Sequence, residues 1–194
     1  MVTVKYSLEE FTHDMNGLID GNVDQEKLFD KGSGYLERLI SNSEAVPERY
    51  RSPVGAGPRA NHGSYLLHHG ENGLLITAVV WGPGDHLGPH DHRTWGMIGI
   101  LGNSITETRF RRLDDRQRED YALLEKDRVN HVKSGDVSLL IPDVDEIHQM
   151  DNFTDRPTVE IHVYGTDLRG LERSKFDLET GKVTHFATQR FNNC

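Results

Sequence analysis

Trp81–Gly102 reads WGPGDHLGPHDHRTWGMIGILG, with His90-Asp91-His92 at its centre. Side chains on an extended strand repeat every two residues, so His90 and His92 are expected on one face, one pleat apart. Two imidazoles held that way can grip a single metal ion. The runs Gly82-Pro83-Gly84 and Gly88-Pro89 disfavour regular structure and predict a turn that delivers the chain into this strand. Beyond it, Met97, Ile98, Ile100 and Leu101 predict a buried apolar strand that ends at Gly102-Asn103. An H-x-H pair alone arises readily by chance in a chain with 11 histidines. The flanking turns and a third histidine downstream give this one weight.

The chain has 194 residues, enough for one domain that buries roughly 70% of the unfolded surface. It carries a net charge of -9 with no cluster of basic residues, which argues against nucleic acid or an anionic membrane surface as its main partner. The opening MVTVKYSLEEF has no apolar core of a signal peptide, and no segment reaches the length of a membrane span. Cys194 is the single cysteine, so no intrachain disulfide can form. A cytoplasmic protein is the expectation.

Residues 1–50 form the helical part. Ser7-Leu8-Glu9-Glu10 has the S-x-x-E form of a capping box, and Leu8, Phe11, Met15, Leu18 and Ile19 follow at helical spacing. Gly21-Asn22 ends that helix. Asp24 can cap a second, which Gly32-Ser33-Gly34 is expected to break before a third run with Leu36, Leu39 and Ile40. The Gly/Pro-rich loop 51–63 marks a change of architecture. From Ser64 the chain reads as short strands: Tyr65–Leu67, Leu74–Trp81, Met97–Leu101, Ile105–Phe110, Tyr121–Leu124, Asp136–Ile141, Thr158–Tyr164 and Lys182–Phe186. Nothing long enough for crossover helices intervenes, so the sheet should be antiparallel. The prediction is a mainly β fold, a single domain over 1–194 with N-terminal helices and a small barrel or sandwich of jelly-roll type over about 64–190.

The third histidine sits in GDVSLLIPDVDEIHQMDN. Gly84, His90-Asp91-His92 and Gly102, followed by Gly135, Pro142, His148 and Asn152, approach the paired signatures of the cupins. The glutamate usual soon after H-x-H is absent, for that region reads Arg93-Thr94-Trp95-Gly96-Met97. An ion held by three neutral imidazoles keeps its full positive charge and favours anionic ligands such as a thiolate. Histidine ligation suits the open sites of non-haem iron(II) oxygenases and equally the zinc of hydrolytic enzymes, and ligand type alone leaves both open.

In Thr158–Tyr164, strand alternation puts Glu160, His162 and Tyr164 on one face and Val159, Ile161 and Val163 on the other. An inward row of acid, imidazole and phenol requires mutual hydrogen bonds, and it would make a relay that ends in a phenol near the metal. The remaining histidines, His13, His62, His68, His69, His86, His131 and His185, read as surface or loop residues, with His62 and His86 candidates for the pocket mouth. Trp95 reads as barrel core.

WGPG, HDHxxWG, His148, and H-x-Y at His162 and Tyr164 followed by Arg173 form a specific combination. From Tyr65 to about Phe176 the sequence resembles the cysteine dioxygenase family of thiol dioxygenases, small cupin barrels that insert both atoms of O2 into a thiol to give a sulfinate. The resemblance implies one Fe(II) per chain on His90, His92 and His148, an outer pair His162-Tyr164, and a small thiol and O2 as substrates. The arginine that binds carboxylate in mammalian-type enzymes corresponds here to Ser64, with Arg59 out of register. In enzymes similar to bacterial 3-mercaptopropionate dioxygenase, an arginine nine residues after the tyrosine takes that role, and it falls on Arg173. Arginine offers a carboxylate a bidentate fork.

Two positions depart from the family pattern. Glu160 stands where the relay usually begins with serine, and Ser64 stands where the mercaptopropionate type tends to carry glutamine. Both touch the pocket, which leaves cysteine, mercaptosuccinate or a bulkier thiol as alternatives to 3-mercaptopropionate. The family's cysteine–tyrosine crosslink is excluded, because Cys194 lies far downstream. A cupin that binds metal without turnover needs only the three histidines, and a zinc hydrolase would need a general acid or base such as Glu160.

Overall fold

The computed structural model describes residues 5–57 and 59–194, in which two α-helices and a short 3-10 helix, Glu48–Tyr50, precede eleven strands. Helix α1 is Leu8–Asp20, and its capping box is formed: the Ser7 hydroxyl accepts from the Glu10 N–H at 3.1 Å, and the Glu10 carboxylate accepts from the Ser7 N–H at 2.8 Å. Helix α2 spans Gln25–Ile40, capped by Asp24, whose carboxylate accepts from the Lys27 N–H at 2.8 Å. The break expected at Gly32-Ser33-Gly34 does not occur. Gly32 instead lets the helix lie close on the sheet, since a Cβ there would come within 2.9 Å of the Met97 terminal methyl. Close packing outweighs the low helix propensity of two glycines.

The strands are β1 His62–His69, β2 Leu75–Trp81, β3 His86–His90, β4 Gly96–Gly102, β5 Ser104–Arg112 and β6 Leu124–Lys133, then β7 Val137–Leu140, β8 His148–Asp151, β9 Thr158–Tyr164, β10 Arg173–Phe176 and β11 Val183–Phe186. They form two antiparallel sheets, ordered β1-β2-β9-β4-β7 and β11-β10-β3-β8-β5-β6. The fold is mainly β, 40% strand and 17% helix, as expected.

Alternation sorts the five-stranded sheet into two faces. Leu74, Ile76, Ala78, Val80, Ile161 and Val163 pack with Phe11, Met15, Leu36 and Leu39 of the helices. Leu75, Val79, Trp81, Ile98, Ile100 and Tyr164 point the other way and close a second core with Ile105 and Met150 of the opposite sheet. Glu160, His162 and Tyr164 therefore share the inner face, as the alternation of this segment predicts. Trp95 is only partly buried and packs against the helix-side core.

The strand β1 lies at an edge, and residues 191–193 cover it. Asn192 accepts through its side chain from the Ser64 N–H at 2.7 Å and donates its own N–H to the Ser64 carbonyl at 2.7 Å. Asn193 repeats the pattern with both backbone groups of Leu66, and Phe191 plugs the inner core beside them.

Three expectations about strands need correction. The run predicted at Tyr121–Leu124 is a single bridge from Tyr121 to Lys182, and the strand proper, β6, begins at Leu124 and continues to Lys133. Its charged, largely exposed residues hid it, because an edge strand lacks an apolar face. The stretch before H-x-H is not a turn throughout: β3 runs from His86 through Gly88-Pro89, with a register shift between Leu87 and His90. That strand ends at His90, so His92 is not its continuation, and Arg93 follows with φ 54°.

Candidate metal centre and its surroundings

His90 ends β3, His92 lies in the turn beyond it, and His148 opens β8, directly opposite His90 in the ladder. The three imidazoles are buried, at 4%, 2% and 1% exposure, and they offer ligand atoms within 4.8 Å of one another. Ring centroids are 4.8 Å apart for His90–His92, 4.7 Å for His90–His148 and 5.0 Å for His92–His148.

Hydrogen bonds on the far side orient two of the rings. His90 Nδ1 faces the Gly88 carbonyl at 3.0 Å, and His148 Nδ1 faces the Glu107 carboxylate at 2.8 Å. Carbonyl and carboxylate oxygens only accept, so Nδ1 carries the proton in both rings and Nε2 is left with its lone pair. His92 Nδ1 is shut off from solvent and has no partner. Burial, joined by the other imidazoles, holds His90 and His92 well below the ordinary histidine value, and burial lowers His148 too, against the opposing pull of Glu107. Three neutral imidazoles turned toward one point, with no hydrogen bond among them, fit a divalent ion that takes nitrogen ligands. No carboxylate joins the group among the described residues.

Sequence reasoning missed the residues that hold these ligands. Glu107, on β5, is fully buried, and its carboxylate meets Arg109 at 2.9 Å and accepts from the Ser138 hydroxyl at 2.9 Å. Burial alone would push this carboxyl up. The hydrogen bonds from His148 and Ser138 and the charge of Arg109 overcome that and hold it well below the usual range. Arg109 is itself 1% exposed and is anchored to the Asp145 carbonyl at 2.7 Å and the Leu139 carbonyl at 2.8 Å. A signal existed: in Thr106-Glu107-Thr108-Arg109, opposite charges two apart share one strand face. Glu146 was missed as well, and its carboxylate accepts from the N–H groups of His92 at 3.1 Å and Arg93 at 2.9 Å, which fixes the turn.

The inner row on β9 is hydrogen-bonded end to end. Tyr164 Oη and His162 Nδ1 are 2.7 Å apart, and His162 Nε2 and Glu160 Oε2 are 2.6 Å apart. Trp81 joins from β2, donating Nε1–H to the same Glu160 oxygen at 2.7 Å. Glu160 Oε1 is buried without a partner. The Tyr164 ring stacks on His92 at 5.5 Å and 18°, which brings the phenol to the histidine cluster. Gly96 makes room for it, since a Cβ there would sit 2.9 Å from the Tyr164 ring. Burial raises the Tyr164 hydroxyl above its ordinary value, with the Glu160 charge acting in the same direction.

Arg173, at the start of β10, is 6% exposed. It donates from Nη2 to the Thr188 hydroxyl at 2.6 Å and lies 4.4 Å over the Phe186 ring, while its Nε is buried without a partner. Burial lowers its pKa, and its charge helps to depress those of His90 and His92. Ser64 is half-buried in β1 and pairs across to Val79, hence onto the inner face. Of the remaining histidines, His13, His69, His86, His131 and His185 are exposed, whereas His62 is half-buried, 4.7 Å from the Trp81 ring and 2.8 Å from Asp85. Arg59 bonds Asp85 at 3.2 Å, outside the inner row.

Sequence comparison places this architecture in a family. The profile described as cysteine dioxygenase type I matches residues 59–175, more than half of the chain. The chain belongs to that family of dioxygenases, and its three-histidine site lies within the matched span. Among solved structures it is similar to an oxalate oxidase in complex with the substrate analogue glycolate, at 15% identity and TM-score 0.46, over 62% of this chain and 58% of that one. It is also similar to a sugar phosphate isomerase from a cupin superfamily of Silicibacter pomeroyi, at 14% identity and TM-score 0.44, over 72% and 83% of the two chains. The chain thus spans less than two thirds of the oxalate oxidase. No helix among the described residues is long and apolar enough to cross a membrane.

Proposed function

We propose that this protein is an iron(II) thiol dioxygenase that adds both atoms of O2 to the sulfur of a small carboxylated thiol, RSH + O2 giving RSO2H, with 3-mercaptopropionate as the type substrate. His90, His92 and His148 would hold the iron. The observation that carries this reading is Arg173: a buried guanidinium with an unpartnered Nε, close enough to the histidine cluster to act on it electrostatically. A buried cation that forms no ion pair within 4.0 Å among the described residues, with Asp91 acting on it only from farther off, calls for an anionic ligand.

Iron(II) on three neutral ligands supplies the one-electron chemistry that dioxygen needs to react with a thiol. The chain's own residues do the rest. Arg173 takes the substrate carboxylate and so fixes the distance from carboxylate to sulfur. Ser64 offers a hydroxyl on the same inner face. If the Glu160 oxygen that accepts from Trp81 Nε1–H accepts from His162 Nε2–H too, His162 Nδ1 has the lone pair and accepts a hydrogen bond from the Tyr164 hydroxyl. The phenol is thus held with its proton directed at His162 and its remaining lone pair free. Phe186 lies between Arg173 and His90, 4.4 Å from the guanidinium and 6.4 Å from the imidazole ring, and adds an apolar wall there.

The test is anaerobic loading of metal-free protein with Fe(II), then oxygen uptake with 3-mercaptopropionate, cysteine, mercaptosuccinate and 2-aminoethanethiol. Thiol-dependent uptake with a sulfinate product is the expected result. Stoichiometric iron binding with no uptake on any thiol would reduce the protein to a metal-binding cupin.

A further inference from the structure

Beside the turn that carries His92, and lined by none of Glu160, His162 or Tyr164, lies a cavity of about 620 Å³, inside the roughly 300–1,000 Å³ span of small-molecule pockets. Its floor is apolar: Phe110, Ile147 and Phe176 are buried there and belong to a small core of their own. Its rim is cationic. Arg93, Arg111, Arg112 and Arg116 line it, a concentration of positive charge in a chain of net charge -9.

Of the carboxylates that share the lining, Glu146 is engaged by backbone, whereas Asp91 faces Arg93 at 3.6 Å and Asp143 faces Arg116, both arginines on the exposed rim. Glu146 is consumed by three backbone N–H groups, those of His92, Arg93 and Asp143. Asp91 accepts from the Ser174 N–H at 2.7 Å. Arg112 is saturated by a bidentate pair with Asp114, but Arg93, Arg111 and Arg116 keep side chains 50%, 62% and 47% exposed. Arg111 meets Asp127 and Glu125, neither of which lines the cavity, and Arg116 meets Asp143. Exposed guanidiniums of this kind gain little from such pairs and can turn to a ligand.

We propose that this cavity is a second ligand site, distinct from the metal centre, for a small organic anion: a carboxylate or phosphate on an aromatic or aliphatic body. The body lies on Phe110, Ile147 and Phe176, and Arg111 and Arg116 bind the oxyanion. Because Glu146 both walls the cavity and clamps the backbone of His92, an occupant here sits one residue's width from the metal loop.

Isothermal titration of the purified protein with phenyl phosphate, 3-phenylpropionate and benzyl alcohol tests this. Saturable binding of the anions is expected with Kd below about 1 mM, and the neutral alcohol should bind at least about tenfold more weakly. The tighter of the two anions shows whether phosphate or carboxylate is read. Arg111→Ser with Arg116→Ser should weaken the anions about tenfold or more, as should Val144→Asp, which leaves every arginine in place and adds a negative charge on a wall residue that is 75% exposed. Arg173→Ala should leave them unchanged. Absence of saturable binding, unchanged affinity in both rim variants, or loss of binding in Arg173→Ala would overturn the proposal, the last because the probe would then be in the metal pocket.

Discussion

At Arg173 a single side chain separates recognition of substrate from support of the fold. Losing a charge-assisted, desolvated pair is worth about 1.5–3 kcal/mol, or about ten- to a hundredfold in kcat/KM. Arg173→Ala should therefore impair carboxylated thiols by that order and spare 2-aminoethanethiol. Lysine should recover only part, because a point charge does not reproduce the fork. Equal losses on all thiols would make Arg173 structural. Glu107 acts one step back from the metal, through His148. Glu107→Gln removes the charge that fixes the His148 tautomer and should weaken metal binding about 10–100-fold, read by competition with a chelator. Unchanged metal affinity would show that the Glu107 charge does not govern the ring. Both kinds of residue sat in the sequence, but only one was legible. His90, His92 and His148 carry chemistry that announces itself by type and spacing, and Arg173 was reached through the family resemblance. Glu107 and Trp81 matter through partners 41 and 79 residues away, which no local pattern reveals.

The elements show the same division. β9 was readable to the residue because its apolar and polar positions alternate cleanly, whereas β6 was hidden by ten mostly exposed residues with no face to bury. Helix α2 was misread at its glycines, and one glycine on each side of its contact with the sheet leads to opposite expectations. Gly32→Ala should be near neutral: the new methyl meets the flexible tip of Met97, and helix propensity improves by about 1 kcal/mol. Gly99→Ala, on β4 beneath the same helix, places its methyl 2.9 Å from Leu36 Cγ and 2.9 Å from Ile40 Cγ2, branch atoms that cannot swing aside. It should lower unfolding free energy by about 1–3 kcal/mol in urea titrations. Equal effects of the two substitutions would mean that α2 rides loosely on the sheet.

Over the whole molecule, the metal centre governs the response to acid. His90, His92 and His148 titrate below their ordinary value in the folded, metal-free chain, so below about pH 6.5 the unfolded chain binds more protons. Stability is then complete above that pH and falls as pH drops, each histidine that stays neutral in the fold contributing up to about 1.4 kcal/mol per pH unit. Urea midpoints of metal-free protein should fall between about pH 7.5 and 5.5, and a bound divalent ion should raise the value at the upper end. A flat profile would place the three rings in contact with water.

The position of β9 in its sheet also sets an order of events. This strand lies between β2 and β4, although the chain makes those two first. Until residue 164 has been synthesised, β2 and β4 have no common neighbour, and the sheet has a gap one strand wide, which two interstrand spacings of about 4.8 Å define. The three imidazoles are complete sixteen residues earlier, at His148. Translation thus delivers the ion-holding side chains ahead of the phenol, and both ahead of Arg173 and Phe191. A nascent chain therefore carries all three candidate ion-holding side chains before the sheet behind them is complete.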